Sequence, residues 1–333
     1  MAIRRRGLLA LGAAAVAAVA TGCRDEQRAP DGARGPRPAA PSPQQTQAPR
    51  RRPGFPGQPR PGELYYGASL PFHRSLSSWE ARLGATLSVN RSYFVPDRNE
   101  TAQLLHQCGD DLAHRRLPHV STKVPGTWRD VATGDDDDWL TGILGPLGRH
   151  AGPVLLTLHH EPENDAGAPG MEAPDFVGMQ QRAIELAARL APEVTIVPVL
   201  QQWTFEPVRR DGNPTAWLVP EALVFGLDLY NPWSATNGLE WRSFGSLVDE
   251  VLPFADGKPV VVGEYACRDD PANPGLAAMW LRDAAAYARQ HHVVAMSYFN
   301  SGLNTVDSSW TLAGRTERAF ADLLTSEWVA RPA

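Results

Sequence analysis

Cysteine is scarce: the 333 residues hold 3 of them. Cys23 closes an N-terminal leader, which leaves Cys108 and Cys267 for the rest of the chain. No cysteine spacing fits a zinc site. The remaining two are expected on opposite sides of the fold, so a disulfide between them is not the expectation. Long apolar runs are also few. The one in "MAIRRRGLLALGAAAVAAVATGC" is too short and too rich in alanine for a good membrane span. Positive charge is missing from the body of the chain. Residues 1–62 hold 11 Arg against 3 Asp or Glu, a net of +8, so residues 63–333 carry −13 of the total of −5. An acidic domain of that kind argues against nucleic acid as a partner, because phosphates demand a basic face. A serine nucleophile elbow is lacking too, since "FGSLVD" around Ser246 is not GxSxG.

What is present begins with the leader. Three arginines, an apolar stretch and small residues before Cys23 form the three-part pattern of an export signal. "ATGC" resembles a bacterial lipobox, which implies that Cys23 is lipidated and ties the chain to the outer face of a membrane. Plain secretion is the alternative. The paired arginines before "GLL" resemble a twin-arginine signal. Residues 24–62 are dominated by Pro, Gly, Gln and Arg. Almost nothing apolar is available there to build a core, so the stretch reads as a disordered or polyproline-like spacer. Three segments follow: leader 1–23, linker 24–62 and one folded domain 63–333, expected to be a monomer.

The domain alternates strand-like and helical patterns. Eight short runs read as strands, at 64–71, 87–94, 118–125, 153–161, 194–203, 222–232, 259–267 and 293–301. Several are near-continuous apolar runs, as parallel strands covered by helices should be. The clearest helical patterns lie at 100–116, 174–192, 275–292 and 317–330. About 270 residues in eight such units predict an α/β fold closed as a (β/α)8 TIM barrel. An open doubly wound sheet would show a glycine-rich first turn, and "GASLPFHRS" after the first strand has none.

In such a barrel the C-terminal ends of the strands face the active site. Polar and aromatic residues crowd there: His73, Arg91 and Tyr93, Lys123, the trio His159, His160 and Glu161, then Gln201, Gln202 and Trp203. Asp228, Tyr230 and Trp233 follow, and after them Glu264, Tyr265, Tyr298, Phe299 and Asn300. Two carboxylates stand out. Glu161 ends the fourth run and Glu264 ends "VVVGE", both after apolar stretches where a Glu is costly to bury without a purpose. They lie three βα units apart, so they face each other across the mouth. Retaining glycoside hydrolysis needs such a pair, a proton donor and a nucleophile about 5 Å apart.

That arrangement resembles glycoside hydrolase clan A, and the His before Glu161 resembles family 26, the β-mannanase family. The resemblance implies Glu161 as acid/base and Glu264 as nucleophile. It implies His160 as a neighbour contacting substrate and Tyr230 as the tyrosine that bonds the nucleophile. Departures are visible: Thr157 and His159 stand where that family usually carries Arg and Trp, and Tyr298 and Phe299 where clan A commonly has Trp. The implied substrate is a β-linked polysaccharide or oligosaccharide, with β-mannan the first expectation, and no cofactor is called for.

Trp203, Tyr230, Trp233 and Trp241 can supply stacking platforms for sugar rings. His73, Arg91 and Lys123 can bind sugar hydroxyls or pair with local acids, and His159, Asp228 and Tyr298 complete the expected substrate-binding set. A metal centre is not expected. Adjacent residues on a strand point to opposite faces, so His159 and His160 should not share one ion, and HExxH is absent. "DDDD" at 135–138 reads as a helix start. A glycan-binding barrel without catalysis is the rival reading.

Overall fold

A computed structural model describes residues 54–71, 74–97, 100–207, 213–303 and 310–332. The leader with Cys23, the linker up to residue 53, and His73 lie outside the described residues. The sheet has nine parallel segments: β1 (Tyr65–Ser69), β2 (Val89–Phe94), β3 (Leu117–Thr122), β4 (Val154–Leu158), β5 (Val194–Ile196), β6 (Val199–Gln201), β7 (Phe225–Tyr230), β8 (Val260–Ala266) and β9 (Val293–Phe299). Their order is β5-β4-β3-β2-β1-β9-β8-β7-β6.

β5 and β6 are two halves of one strand. The first half pairs with β4 and the second with β7, so the ring closes with eight strands as a (β/α)8 barrel. Pro198 sits in the interruption and has no N–H to give a ladder. Its neighbours keep the seam bonded: Val197 N donates to Leu156 O at 2.9 Å, and Gly226 N donates to the Pro198 carbonyl at 3.0 Å.

The helices are α1 (Leu76–Leu83), α2 (Glu100–Ala113), α3 (Trp128–Thr133), α4 (Asp137–Leu147), α5 (Ala173–Leu190), α6 (Phe244–Asp249), α7 (Leu276–Gln290) and α8 (Gly314–Leu324). α5 shows why they form. Glu172 and Asp175 make a reciprocal cap, Pro174 sits in the first turn, and Phe176, Met179, Ala183 and Leu186 bury one face at helical spacing. The four-aspartate run starts α4, with Asp136 at the cap and Asp137 and Asp138 in the first turn. α8 stops at Leu324, short of the expected 330, because the chain turns back to the sheet. Leu64 N donates to Trp328 O, and Ala330 N donates to Leu64 O, both at 3.0 Å. Cys108 and Cys267 are buried free thiols.

Two apolar layers hold the fold. The larger lies between sheet and helices. The smaller fills the barrel floor, where the strands begin, with Tyr65, Val89, Leu117, Leu155, Val197 and Val261. Phe55 belongs to this floor at 4% exposure. Packing against the barrel therefore begins before residue 63. Gly54 to Gly62 sit against the barrel, and Tyr65 donates its hydroxyl to Gly57 O at 2.7 Å. A single aromatic ring in a Pro/Gly-rich stretch supplies the apolar contact that composition alone conceals.

Candidate active site

β8 carries Glu264 to the mouth. The register between β7 and β8 shifts at Leu227/Asp228, setting Asp228 beside Glu264. Glu264 is 5% exposed. Tyr93, from β2, donates its hydroxyl to Glu264 Oε1 at 2.6 Å, and Tyr230, from β7, donates to Oε2. Burial and the Glu264 carboxylate push both phenols well above their ordinary range, so both remain hydrogen-bond donors.

The Glu161 side of the mouth is built on strained backbone. β4 stops at Leu158, and His159 (φ 54°) and Glu161 (φ 51°) both take the left-handed conformation, at a cost of about 1–3 kcal/mol each. The fourth strand is thus shorter than expected, and the residues beyond it diverge. His159 turns outward to Asp165 Oδ2 at 2.8 Å and meets the Trp128 ring edge-on. His160 turns inward, its Nδ1 3.1 Å from Ser121 Oγ and its Nε2 4.0 Å from Glu264 Oε1. Burial and the nearby Arg91 push His160 down to about 3, so it is neutral at ordinary pH. Glu161 N donates to Val199 O at 3.0 Å, and Asn164 Nδ2 donates to Glu161 Oε2 at 2.9 Å. Burial first, and the Glu264 charge second, raise the Glu161 carboxyl to about 7. It is a carboxylic acid poised to give up a proton near neutrality.

One carboxylate oxygen each from Glu161, Asp228 and Glu264 lies within 4.8 Å of the others. A retaining pair needs carboxyl groups roughly 5 Å apart, and this spacing of oxygens is compatible with it. Asp228 is 2% exposed, and neither of its carboxylate oxygens has a hydrogen-bond partner. Burial and its two carboxylate neighbours raise its pKa well above the ordinary range, against the opposing pull of Arg91. These three oxygens are the set among the described residues with the spacing to hold a cation. Both Glu264 oxygens already accept from phenols, however, and Arg91 supplies positive charge nearby.

A cavity of about 410 Å³ opens between the two glutamates, lined among others by Gln201, Trp203, Tyr230, Arg268, Phe299 and Trp310. Glu161, Glu264, Asp228, Tyr230 and Trp203 all face it. Other expected contacts do not. Arg91 is 1% exposed, packed by its guanidinium against the Tyr93 ring below the mouth, so it does not reach a sugar. Tyr298 points into the helix layer, its hydroxyl 3.3 Å from Cys267 O. Strand alternation gives the mouth to Phe299 instead. Lys123 binds Asp165 at 2.6 Å on the outer rim, His159 is turned away, and Trp233 packs on Trp241 at 5.4 Å outside the cavity lining. Arg268 and Trp310, stacked 3.8 Å apart, carried no signal in the sequence because they stand in loops.

No family model matches the chain, and no curated protein sequence does. Solved structures match in fold. The chain is similar to GH26A from Muricauda sp., with TM-score 0.53 and 12% identity over 81% of this chain and 92% of that one. It is similar to an endo-β-1,4-mannanase double mutant from Cellulomonas fimi, with TM-score 0.53 and 13% identity over 82% and 73%. A GH5-4 broad-specificity endoglucanase from Clostridium longisporum gives TM-score 0.57 and 12% identity over 78% and 97%. The likeness is one of fold, a (β/α)8 barrel shared with these three proteins.

Proposed function

We propose that this chain is a retaining glycoside hydrolase that cuts within a β-linked polysaccharide, with β-mannan the first candidate. The observation that carries the reading is the pairing of unlike carboxyls across one cavity. Glu161 is a proton-bearing acid near pH 7, and Glu264 is oriented by two phenols with its oxygen within 4.8 Å of Glu161's. Glu264 attacks the anomeric carbon while Glu161 protonates the departing oxygen. Water then attacks the anomeric carbon as Glu161 takes its proton, the bond to Glu264 breaks, and the sugar leaves with its configuration retained. Trp203, Tyr230, Phe299 and Trp310 offer ring faces for the sugar. The His160–Glu161 pair and the likeness in fold to an endo-β-1,4-mannanase support the choice of mannan. The leader supports export, with Cys23 as the site of a lipid anchor or with secretion in its place.

The test is release of new reducing ends from mannan, xylan and mixed-linkage glucan by residues 54–333, beside a Glu264→Ala control. Cleavage of one polymer that vanishes in the control supports the reading. Binding of a polymer without cleavage points instead to a glycan-binding barrel.

A further inference from the structure

Two residues after Glu161 stands a second glutamate that is absent from the cavity lining. Glu163 directs its carboxylate away from the mouth, toward β6 and the turn that follows it. Its Oε1 accepts from the backbone N of Gln201 at 3.0 Å and from the Thr204 hydroxyl at 2.7 Å. Its Oε2 is buried with no partner.

The topology explains why Gln201 needs this acceptor. β6 continues past the end of β4, which stops at Leu158. The backbone then leaves the sheet through the left-handed His159 and Glu161, so the β4 side offers no main-chain carbonyl level with Gln201. The last backbone bond across this seam is Glu161 N to Val199 O. Two residues further along β6, the Glu163 carboxylate takes the place of the absent carbonyl. A charged acceptor makes a stronger bond than a carbonyl, and it fastens a turn that carries strain. The same Gln201 lines the cavity beside Glu161. One carboxylate thus ties the turn bearing Glu161 to a β6 residue of the same cavity wall.

We propose that Glu163 is a positioning residue for Glu161, its carboxylate standing in for the missing β4 carbonyl to hold the Glu161 turn on β6. The assignment of the kinetic effect rests on Glu161 being the acid/base. Glu163 does not touch substrate. Its negative charge also lies close enough to favour the protonated form of Glu161. Burial raises Glu163 itself to about 6.

The experiment follows the Glu161 carboxyl by carbon-13 NMR against pH in the protein and in Glu163→Gln and Glu163→Ala, with Glu161→Gln assigning the signal. Both variants are expected to lower the Glu161 midpoint. In Glu163→Ala the Gln201 amide should also exchange with solvent roughly tenfold faster or more, having lost its acceptor. Glu163→Gln keeps an acceptor oxygen and should retain most of that protection. On a polymer the protein cleaves, Glu163→Ala should lose roughly tenfold or more in kcat with little change in KM. Glu163→Gln should recover most of that loss with its alkaline limb moved to lower pH. A Gln201 amide that exchanges no faster in folded Glu163→Ala than in the unaltered protein overturns the proposal. Absence of any cleavage by the unaltered protein would instead count against the glycosidase reading, and exchange of the Gln201 amide would still decide the role of Glu163.

Discussion

Tyr230 and Tyr93 hold Glu264 from opposite sides, each through one hydroxyl. Tyr230→Phe deletes a donor and little volume, so kcat should fall about 10²-fold with KM nearly unchanged, as steady-state kinetics would show. Glu161 supplies a second expectation. Its folded-state pKa of about 7 lies above the unfolded value near 4.3. Stability is therefore full below about pH 4 and falls as pH rises through 7, because ionising the buried acid is costly. Glu161→Gln should stabilise the fold at pH 8 more than at pH 5, by an increment on the order of 1–3 kcal/mol read from thermal melts at the two pH values. The two glutamates were legible because a charge that ends an apolar run is hard to place elsewhere. Tyr298 was misread because an apolar run does not reveal the phase of its alternation, and one residue of phase exchanges Tyr298 for Phe299.

The seam at β5 and β6 belongs to the scale of elements. Gly226 of β7 faces it so closely that an added Cβ would lie 2.3 Å from the Pro198 carbonyl oxygen. Backbone cannot yield that distance cheaply, and the ring closes there through the Gly226–Pro198 bond. Gly226→Ala should cost about 3 kcal/mol or more, read as a lower midpoint in urea. The alternation of strands and helices was readable from apolar runs and caps, and the eight strand-like runs of the sequence are the eight strands of the ring. The break at Val197–Pro198 and the early end of β4 were not. Both are set by contacts between distant strands, whereas the sequence pattern records only which residues are apolar.

For the molecule as a whole, the floor matters as much as the mouth. Phe55 is nearly buried among the first residues of the strands. Phe55→Ala should cost about 3–5 kcal/mol, and a chain beginning at Glu63 should melt lower than one beginning at Gly54, measured by calorimetry. The polyproline-like composition of the linker hid this ring, since one buried aromatic hardly alters the average of a segment.

Both ends of the described domain meet at this floor. Phe55 enters it near the start, and Ala330 packs into the same layer near the finish. The cavity with the two glutamates opens at the opposite end of the strands. A carrier, bead or fusion partner joined directly before Gly54 or after Pro332 therefore attaches behind the barrel. Immobilised protein should keep its cleft open to polymers too large to pass around it.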